Sequence, residues 1–421
     1  MIDATGQRRL ATSRLLLFAV LAVSTALALV AAVLFQEPSL LGRDKVLTDF
    51  DAFYIAGLMA DRGQAADAYR TAEMLSAQQS LTGTASFMPW TYLPPYTLLV
   101  WVLAQLPIAV SYLLFFAATF VFYLLVLRRV AGEFLPGVLI AILPTIVLLA
   151  RTGQNGFLTA GLIGCFLLTF TERRAVAGVP LGLMVLKPHL AGGIALLALL
   201  GRRWTAMTIA AVIVAAALLA ATAAFGMSVW PAFFAGLRDA AKFLADGFYP
   251  LFRMSSIYAS VLAFGGPAWL ALAVHAVGVL VAASLLIYAW SRHWEPRLLA
   301  ATACVSSLFF SPYNYDYDLT ILGLAIAFVL PEILERAGRW ELVGLLALSW
   351  ATTGYGIAAN IPIDGEVITR GVSALRTEGV PSLTAPLMIL LVISGAMILR
   401  REASESAPGL IAARAPGAGL N

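Results

Sequence analysis

The sequence predicts an all-α polytopic integral membrane protein, and three observations carry that prediction. Of 421 residues, 61% are hydrophobic and 12% charged, whereas a soluble globular domain carries about 25% charged residues. Mean hydropathy is +0.89, so the chain lacks the polar surface needed to cover itself in water. Uncharged apolar runs near the roughly 20 residues that cross a hydrocarbon core alternate with short loops bearing arginine. The net charge of +4 comes from basic residues in short pairs between apolar runs, a pattern that gives no surface for nucleic acid. Cys165 and Cys304 lie inside apolar stretches and read as small buried hydrophobes rather than a disulfide or metal site.

Residues 15–35 form the first span. They carry no charge, follow Arg8, Arg9 and Arg14, and exceed the apolar core of a cleaved signal. The N-terminus is therefore expected in the cytoplasm. Positive-inside counting places the clusters Arg128 and Arg129, Arg173 and Arg174, Arg202 and Arg203, Arg292 and Arg297, Arg336 and Arg339, and Arg400 and Arg401 there too. The remaining spans then fall near 111–127, 136–150, 156–170, 176–187, 189–200, 205–225, 268–290, 297–311, 317–331, 341–357 and 382–399. That gives about twelve transmembrane helices, the pair around Lys187 being open to a reading as one re-entrant element. Residues 92–107, with prolines at 94, 95 and 107, read as a helix half inserted from the outer side. Counting them as a full span would turn most arginine pairs outward.

The outer face receives loops 36–91, 151–155, 187–189, 226–255, 311–318 and 358–380. One transmembrane domain is expected over 1–401, with 36–107 as its first outer loop and half-inserted helix. Residues 402–421, rich in Ala, Gly, Ser and Pro, read as a disordered cytoplasmic tail. No internal repeat is visible, which weighs against a transporter built from two inverted halves.

Four outer stretches carry residues able to do chemistry. After Thr48, the run Asp49 to Leu58 places Phe50, Phe53, Tyr54 and Leu58 at helical spacing, as in an amphipathic helix lying on the membrane surface. Thr48 and Asp51 fit a capping box; that occupies Asp51 locally and leaves Asp49 free to point elsewhere. Both acids also suit a helix N-terminus with no further role. Gly153-Gln154-Asn155-Gly156, just after Arg151, offers amides to hydroxyl groups, or is a plain helix–helix turn.

Lys187-Pro188-His189 interrupts an apolar run. A lysine within a span costs roughly 2.5–3.5 kcal/mol on insertion scales and normally faces a cavity or partner. Beside a proline break it suits an anion such as phosphate, although a lysine at the interface also snorkels. Tyr313, Tyr315, Asp316, Tyr317 and Asp318 alternate rings and carboxylates, as a sugar site does and as an interfacial aromatic belt does. His275, in mid-span, is expected to hydrogen bond between helices.

Taken together, DFDAFYIAG after the first span, Tyr92-Leu93-Pro94-Pro95, GQNG, LKPH and SPYNYDYDL resemble glycosyltransferase family 87, in that family's order over residues 49–319. The resemblance implies the GT-C architecture, a helical membrane bundle with its site under a large first outer loop. It implies a polyprenyl-phosphate mannose donor and maps the family's catalytic base onto Asp49. Relatives that extend phosphatidylinositol mannosides carry Trp-x-His-His where this chain reads Tyr315-Asp316-Tyr317-Asp318, so no role of that histidine pair transfers and a different acceptor is implied.

A sugar outside the inner membrane must arrive on a lipid carrier, and a polyprenyl phosphate leaves without protonation. One base then suffices, unlike the paired carboxylates of hydrolases. The expected site is therefore Asp49 as base, with Asp51, Tyr54, Arg151, Gln154, Asn155, Lys187, His189, Tyr315, Asp316 and Asp318 binding substrate and no cofactor; a metal is not needed if Lys187 compensates the phosphate, although Asp49 and Asp51 leave an Asp-x-Asp metal site open. The expected partners are a polyprenyl-phosphate sugar, a lipid or glycan acceptor and the membrane lipids. A flippase of lipid-linked sugars would use the same cationic and aromatic lining without needing the base, and a ligase using a lipid diphosphate would need more outer arginines.

Overall fold

The computed structural model describes residues 4–41, 45–83, 86–245, 248–370 and 379–401. The tail 402–421 and much of the loop 358–380 lie outside or at the margin of these residues. Among the described residues the secondary structure is helical, with one isolated bridge between Met254 and Tyr315.

The short helix α1 (Ala4–Ala11) leads into α2 (Arg14–Gln36), whose first turn is capped by the Ser13 hydroxyl accepting from Leu16 N. The outer segment then folds into α3 (Asp49–Asp61) and α4 (Thr71–Thr82), followed by α5 (Pro94–Leu103). Prolines open α5, where a missing N–H costs nothing. Its ten residues rise about 15 Å, half of a hydrocarbon core, and it packs against α3. The surface helix expected over Asp49–Leu58 is instead enclosed, with ten of the thirteen residues of α3 buried. Alternating apolar and small residues leave it no polar face, and α5 covers the side that a surface helix would show to water.

Helices α6 (Ile108–Ala131), α7 (Leu135–Ala141), α8 (Leu143–Thr152) and α9 (Gly156–Thr171) follow. Ile142 and Pro144 break the α7–α8 run. The next segment, through α10 (Gly178–Leu183) and α11 (Gly192–Leu200), goes out from Phe170 and comes back to it. Arg173 N donates to the Phe170 carbonyl, and Arg203 Nη2 reaches the same carbonyl at 3.3 Å on the return. The tip is Lys187, held at φ −151° and ψ 68° between two 3-10 turns. The residue before a proline is steered out of the helical region, and Pro188 follows.

Helix α12 (Trp204–Phe225) leads to α13 (Val229–Ala245), then α14 (Ile257–Ala263), α15 (Ala268–Ser291), α16 (Pro296–Phe309), α17 (Thr320–Arg336), α18 (Arg339–Arg370) and α19 (Thr384–Leu399). Six described helical stretches are long and apolar enough to cross a membrane: Arg14–Gln36, Ile108–Ala141, Trp204–Phe225, Ala268–Ser291, Asp316–Arg336 and Arg339–Ile361. Six further apolar helices run 10–17 residues. The protein is thus an all-helical polytopic membrane protein. Helix α17 is central, against α6, α9 and α16, while α12 and α15 expose most of their apolar side chains outward. His275 on α15 is buried, but neither ring nitrogen meets a hydrogen-bond partner, contrary to the expected interhelical bond.

The arginine pairs gather at one end. Arg297 donates to the carbonyls of Phe328 and Ala327, Arg336 to that of Leu399, and Arg8 pairs with Glu133. Helix α9 runs from Phe170 at this end to Asn155 at the other, a rise of about 24 Å over its sixteen residues. The far end is where Gln154, Lys187 and the 311–318 loop meet.

Candidate active site

Asp49 is the first residue of α3, and the capping box decides where it points. Asp51 Oδ2 accepts from Thr48 N at 2.9 Å and from Thr48 Oγ1 at 3.1 Å, while Asp51 Oδ1 holds the buried Lys45 Nζ at 2.6 Å. The two acids therefore serve different partners. Asp49 Oδ1 accepts from Gln154 Nε2 at 2.8 Å, and Asp49 Oδ2 is buried with no hydrogen-bond partner.

Gln154 is fixed in turn. Its Oε1 accepts from Tyr92 Oη and from Asn155 N, each at 2.8 Å, so its amide hydrogens have to face Asp49. The turn holding it needs its glycines. Gly153 caps α8 at φ +65°, a left-handed conformation that side chains resist, and a Cβ on Gly156 would collide with the Tyr317 carbonyl.

Two cations line the same cavity as this carboxylate, Lys187 buried and Arg253 half-buried. Lys187 Nζ contacts Asp318 Oδ1 at 2.6 Å and Asn155 Oδ1 at 3.3 Å, and lies 4.5 Å from the centre of the Tyr317 ring. Arg253 donates from Nε and Nη2 to the two oxygens of Asp316 at 3.1 and 3.2 Å. The bridge between Met254 and Tyr315, with Ser255 N donating to the Asn314 carbonyl at 2.8 Å, clips the Arg253 turn to the 311–318 loop. Asp316 and Asp318 sit in a 3-10 turn (Asp316–Leu319), where Asp318 Oδ2 accepts from Tyr315 N and Asp316 Oδ1 accepts from Tyr317 N as well as from Arg253.

Three carboxylates thus share two cations. Asp316 and Asp318 are paired, and Asp49 has an amide instead. Burial raises the Asp49 pKa above its ordinary 3.8, the Arg253 charge and the Gln154 hydrogen bond opposing the shift. A desolvated carboxylate with one unpartnered oxygen is a stronger proton acceptor than one in water.

Asp49, Gln154, Lys187, His189, Arg253, Tyr92, Tyr315 and Tyr317 all line one cavity of about 1070 Å³. His189 presents a buried Nε2 without a partner there. Asn155, Asp316 and Asp318 stand behind this lining and orient it. Three expected site residues are placed elsewhere. Asp51 is consumed by the cap and Lys45. The Tyr54 hydroxyl donates to the Leu106 carbonyl at 2.9 Å, away from the cavity. Arg151 is exposed and does not line the cavity, because it precedes the left-handed turn that swings Gln154 inward. Arg253 and Tyr92 were not anticipated as site residues. The signal for Arg253 was a lone cation flanked by Leu251, Phe252 and Met254 in an outer loop.

Helix α13 closes the cavity from outside with an apolar face that includes Phe233, Leu237 and Ala240, while Arg238, Asp239 and Lys242 lie on other sides. A stripe and an opposing charged face mark it as an interfacial helix.

Among curated proteins none matches the chain, and among solved structures none does. Compared with known families, residues 90–312, just over half of the chain, match glycosyltransferase family 87. The matched segment holds Tyr92, Gln154, Asn155, Lys187, His189 and Arg253; Asp49 precedes it, and Asp316 and Asp318 follow it. An all-helical membrane bundle with a buried carboxylate in the same cavity as two cations agrees with that match: the chain belongs to glycosyltransferase family 87 and is a membrane glycosyltransferase.

Proposed function

We propose that the protein transfers a hexose, mannose by family resemblance, from a polyprenyl-phosphate sugar to a hydroxyl of a lipid or glycan acceptor in one inverting step. The observation that carries this reading is the placement of Asp49, with its unpartnered Oδ2, in the same cavity as Lys187 and Arg253. Asp49 Oδ2 takes the proton of the acceptor hydroxyl. The acceptor oxygen bonds to the anomeric carbon as the bond from that carbon to the phosphate oxygen breaks. The electron pair leaves on the polyprenyl phosphate, whose growing charge is met by Lys187 and Arg253. Arg253 takes the part foreseen for Arg151.

Gln154 is a positioning residue, since its own oxygen is locked by Tyr92 and Asn155. The apolar face of α13 suits the lipid chain of the donor, leaving the sugar at the polar base. The cavity lies at the end of the bundle away from the arginine pairs, which under the positive-inside rule is the non-cytoplasmic side of a bacterial inner membrane.

Purified protein reconstituted in liposomes, given polyprenyl-phosphate hexose labelled in the sugar and a mixed lipid and glycan extract, tests the reading. Label moving covalently onto an acceptor, with polyprenyl phosphate released in equal amount, is expected. Label crossing the bilayer while still attached to its lipid, with no transfer, would make the protein a flippase instead.

A further inference from the structure

At the arginine-rich end a second cavity of about 150 Å³ lies among α9, α11, α15 and α16, separate from the outer one. We propose that it binds the phosphate of an anionic phospholipid from the leaflet at that end, with Arg203 as the residue that holds it. Arg203 lines the cavity together with Phe170, Thr171, Trp290, Trp294 and Leu299. Its half-buried guanidinium lies 4.8 Å from the centre of the Phe170 ring and donates from Nη2 to the Phe170 carbonyl at 3.3 Å. Nε is buried without a partner, and among the described residues no carboxylate pairs with Arg203. One bond uses one of a guanidinium's five donors, so the group keeps hydrogens for an anion.

Three helices end around this cavity in the same way. Among the described residues the non-glycine residues with left-handed φ are Arg173 at 57°, Arg202 at 50° and His293 at 51°, and they lie two positions beyond the ends of α9, α11 and α15. The residue after each donates back into its helix, Arg174 to Thr169, Arg203 to Ala198 and Trp294 to Ala289, all at 3.0 Å. That turn folds Arg203 and Trp294 over the cavity. Each helix C-terminus carries roughly half a negative charge, which alone would turn an anion away. Across residues 171–174, 201–203 and 292–297, however, six arginines stand against two glutamates, and the field is positive.

The walls decide the source of the phosphate. Apart from Arg203 and Thr171, every lining residue is apolar or aromatic, so a free phosphate ion would give up its hydration there for a single cation. A phospholipid instead brings glycerol and acyl carbons that cover those walls. Trp290 and Trp294 line the cavity, and Trp204, 58% exposed, opens α12 beside Arg203. Indole rings gather where headgroups meet hydrocarbon, which sets the cavity at headgroup depth. From there an acyl chain can run along the exposed Ile287, Leu285 and Val281 of α15. Basic pockets between helices at this depth hold anionic headgroups.

Phe170 is where the segment with Lys187 at its tip leaves the bundle, and Arg203 is where it returns. A lipid seated here joins both feet of that segment, so binding raises stability whether or not the protein transfers sugar. The full chain in neutral detergent is unfolded thermally with increasing dioctanoyl phosphatidylglycerol, with dioctanoyl phosphatidylcholine, and with inorganic phosphate. Phosphatidylglycerol is expected to raise the unfolding temperature saturably, and the other two to leave it unmoved at the same concentrations. Arg203→Gln should raise the half-saturating concentration about fivefold, the share of one arginine near a headgroup. Because Arg203 also holds the Phe170 carbonyl, Thr171→Glu supplies a second variant. Thr171 is exposed at the cavity, and a carboxylate there repels the headgroup without removing that bond. Arg400→Gln, at an exposed arginine of the same end outside the cavity, should leave the response intact.

No rise with phosphatidylglycerol overturns the proposal. An equal rise with phosphatidylcholine removes the anion from the site, an equal rise with inorganic phosphate removes the lipid, and either result overturns it as well. So does a phosphatidylglycerol response that survives both Arg203→Gln and Thr171→Glu, or one that Arg400→Gln weakens as much as they do, since a diffuse basic surface would behave that way.

Discussion

The two ends of this bundle hold ion pairs of similar composition under opposite conditions. At the arginine-rich end Arg174 and Glu172 pair at 3.3 Å with side chains 62% and 58% exposed, and Arg401 and Glu341 pair at 50% and 37%. At the cavity end Lys187 and Asp318 pair at 4% and 0%. Exposed pairs contribute about 0–1 kcal/mol. Buried pairs have lost the hydration of both ions, and their attraction often does no more than offset that loss. Stability alone thus explains neither set. The exposed arginines suit orientation of the chain in the bilayer, and the buried charges suit a place where a charged ligand arrives and charge moves.

The largest effect is expected at Asp49. Asp49→Asn keeps the hydrogen-bonding shape while removing the base, and transfer is expected to fall by about 10²–10⁴-fold. The protein should stay folded, because the raised Asp49 pKa means that its ionised form is held at a cost. Steady-state transfer alongside a thermal unfolding curve checks both halves. Undiminished turnover would take Asp49 out of the mechanism.

Next in size is the buried pair. Lys187→Met strands Asp318, and breaking a buried pair from one side costs about 3–5 kcal/mol, read as a lower unfolding temperature and lost transfer. Combining it with Asp318→Leu should restore the unfolding temperature and leave transfer absent. Recovery of both together would mean that Lys187 is structural.

The pH dependence sharpens the contrast further. A base with a raised pKa is active above that pKa and is protonated as pH falls through it. The acid limb of kcat/KM should therefore lie above the ordinary carboxylate value of 3.8. Arg253 opposes the shift, so Arg253→Gln should move the limb to still higher pH. An unmoved limb would detach Arg253 from Asp49. The smallest effect is expected at the other end, where Arg174→Ala should alter unfolding by less than about 1 kcal/mol and leave transfer unchanged in the same assays.

What was legible in the sequence was what local physics decides. The Thr48–Asp51 cap is confined to four consecutive residues, and it releases Asp49 whatever the rest of the fold does. Lys187 stands out because a cation before a proline in an apolar run has few other uses. Gln154 and Asn155 follow a glycine, and the left-handed turn at Gly153 forms as that residue type suggests.

Arg253 was illegible because its role depends on the bridge between Met254 and Tyr315, which joins two outer loops that only the packed bundle brings together. Tyr54 was misplaced for a related reason. Helical spacing says which residues share a face, but which face meets the cavity depends on α5 lying against α3. Arg151 shows how abruptly direction changes at a helix end: three residues before Gln154, it is still on α8 and points outward.

The proposed base and phosphate-binding cations share a cavity that is expected to open on the side of the membrane opposite the arginine pairs. Single cysteines placed at Phe248, at the cavity mouth, and at Arg174, at the other end, test it most directly in a background of Cys165→Ala and Cys304→Ala. Intact cells treated with a membrane-impermeant maleimide should label Phe248→Cys at once and Arg174→Cys only after permeabilisation. Labelling of Arg174→Cys from outside, with Phe248→Cys protected until the membrane is opened, would contradict it.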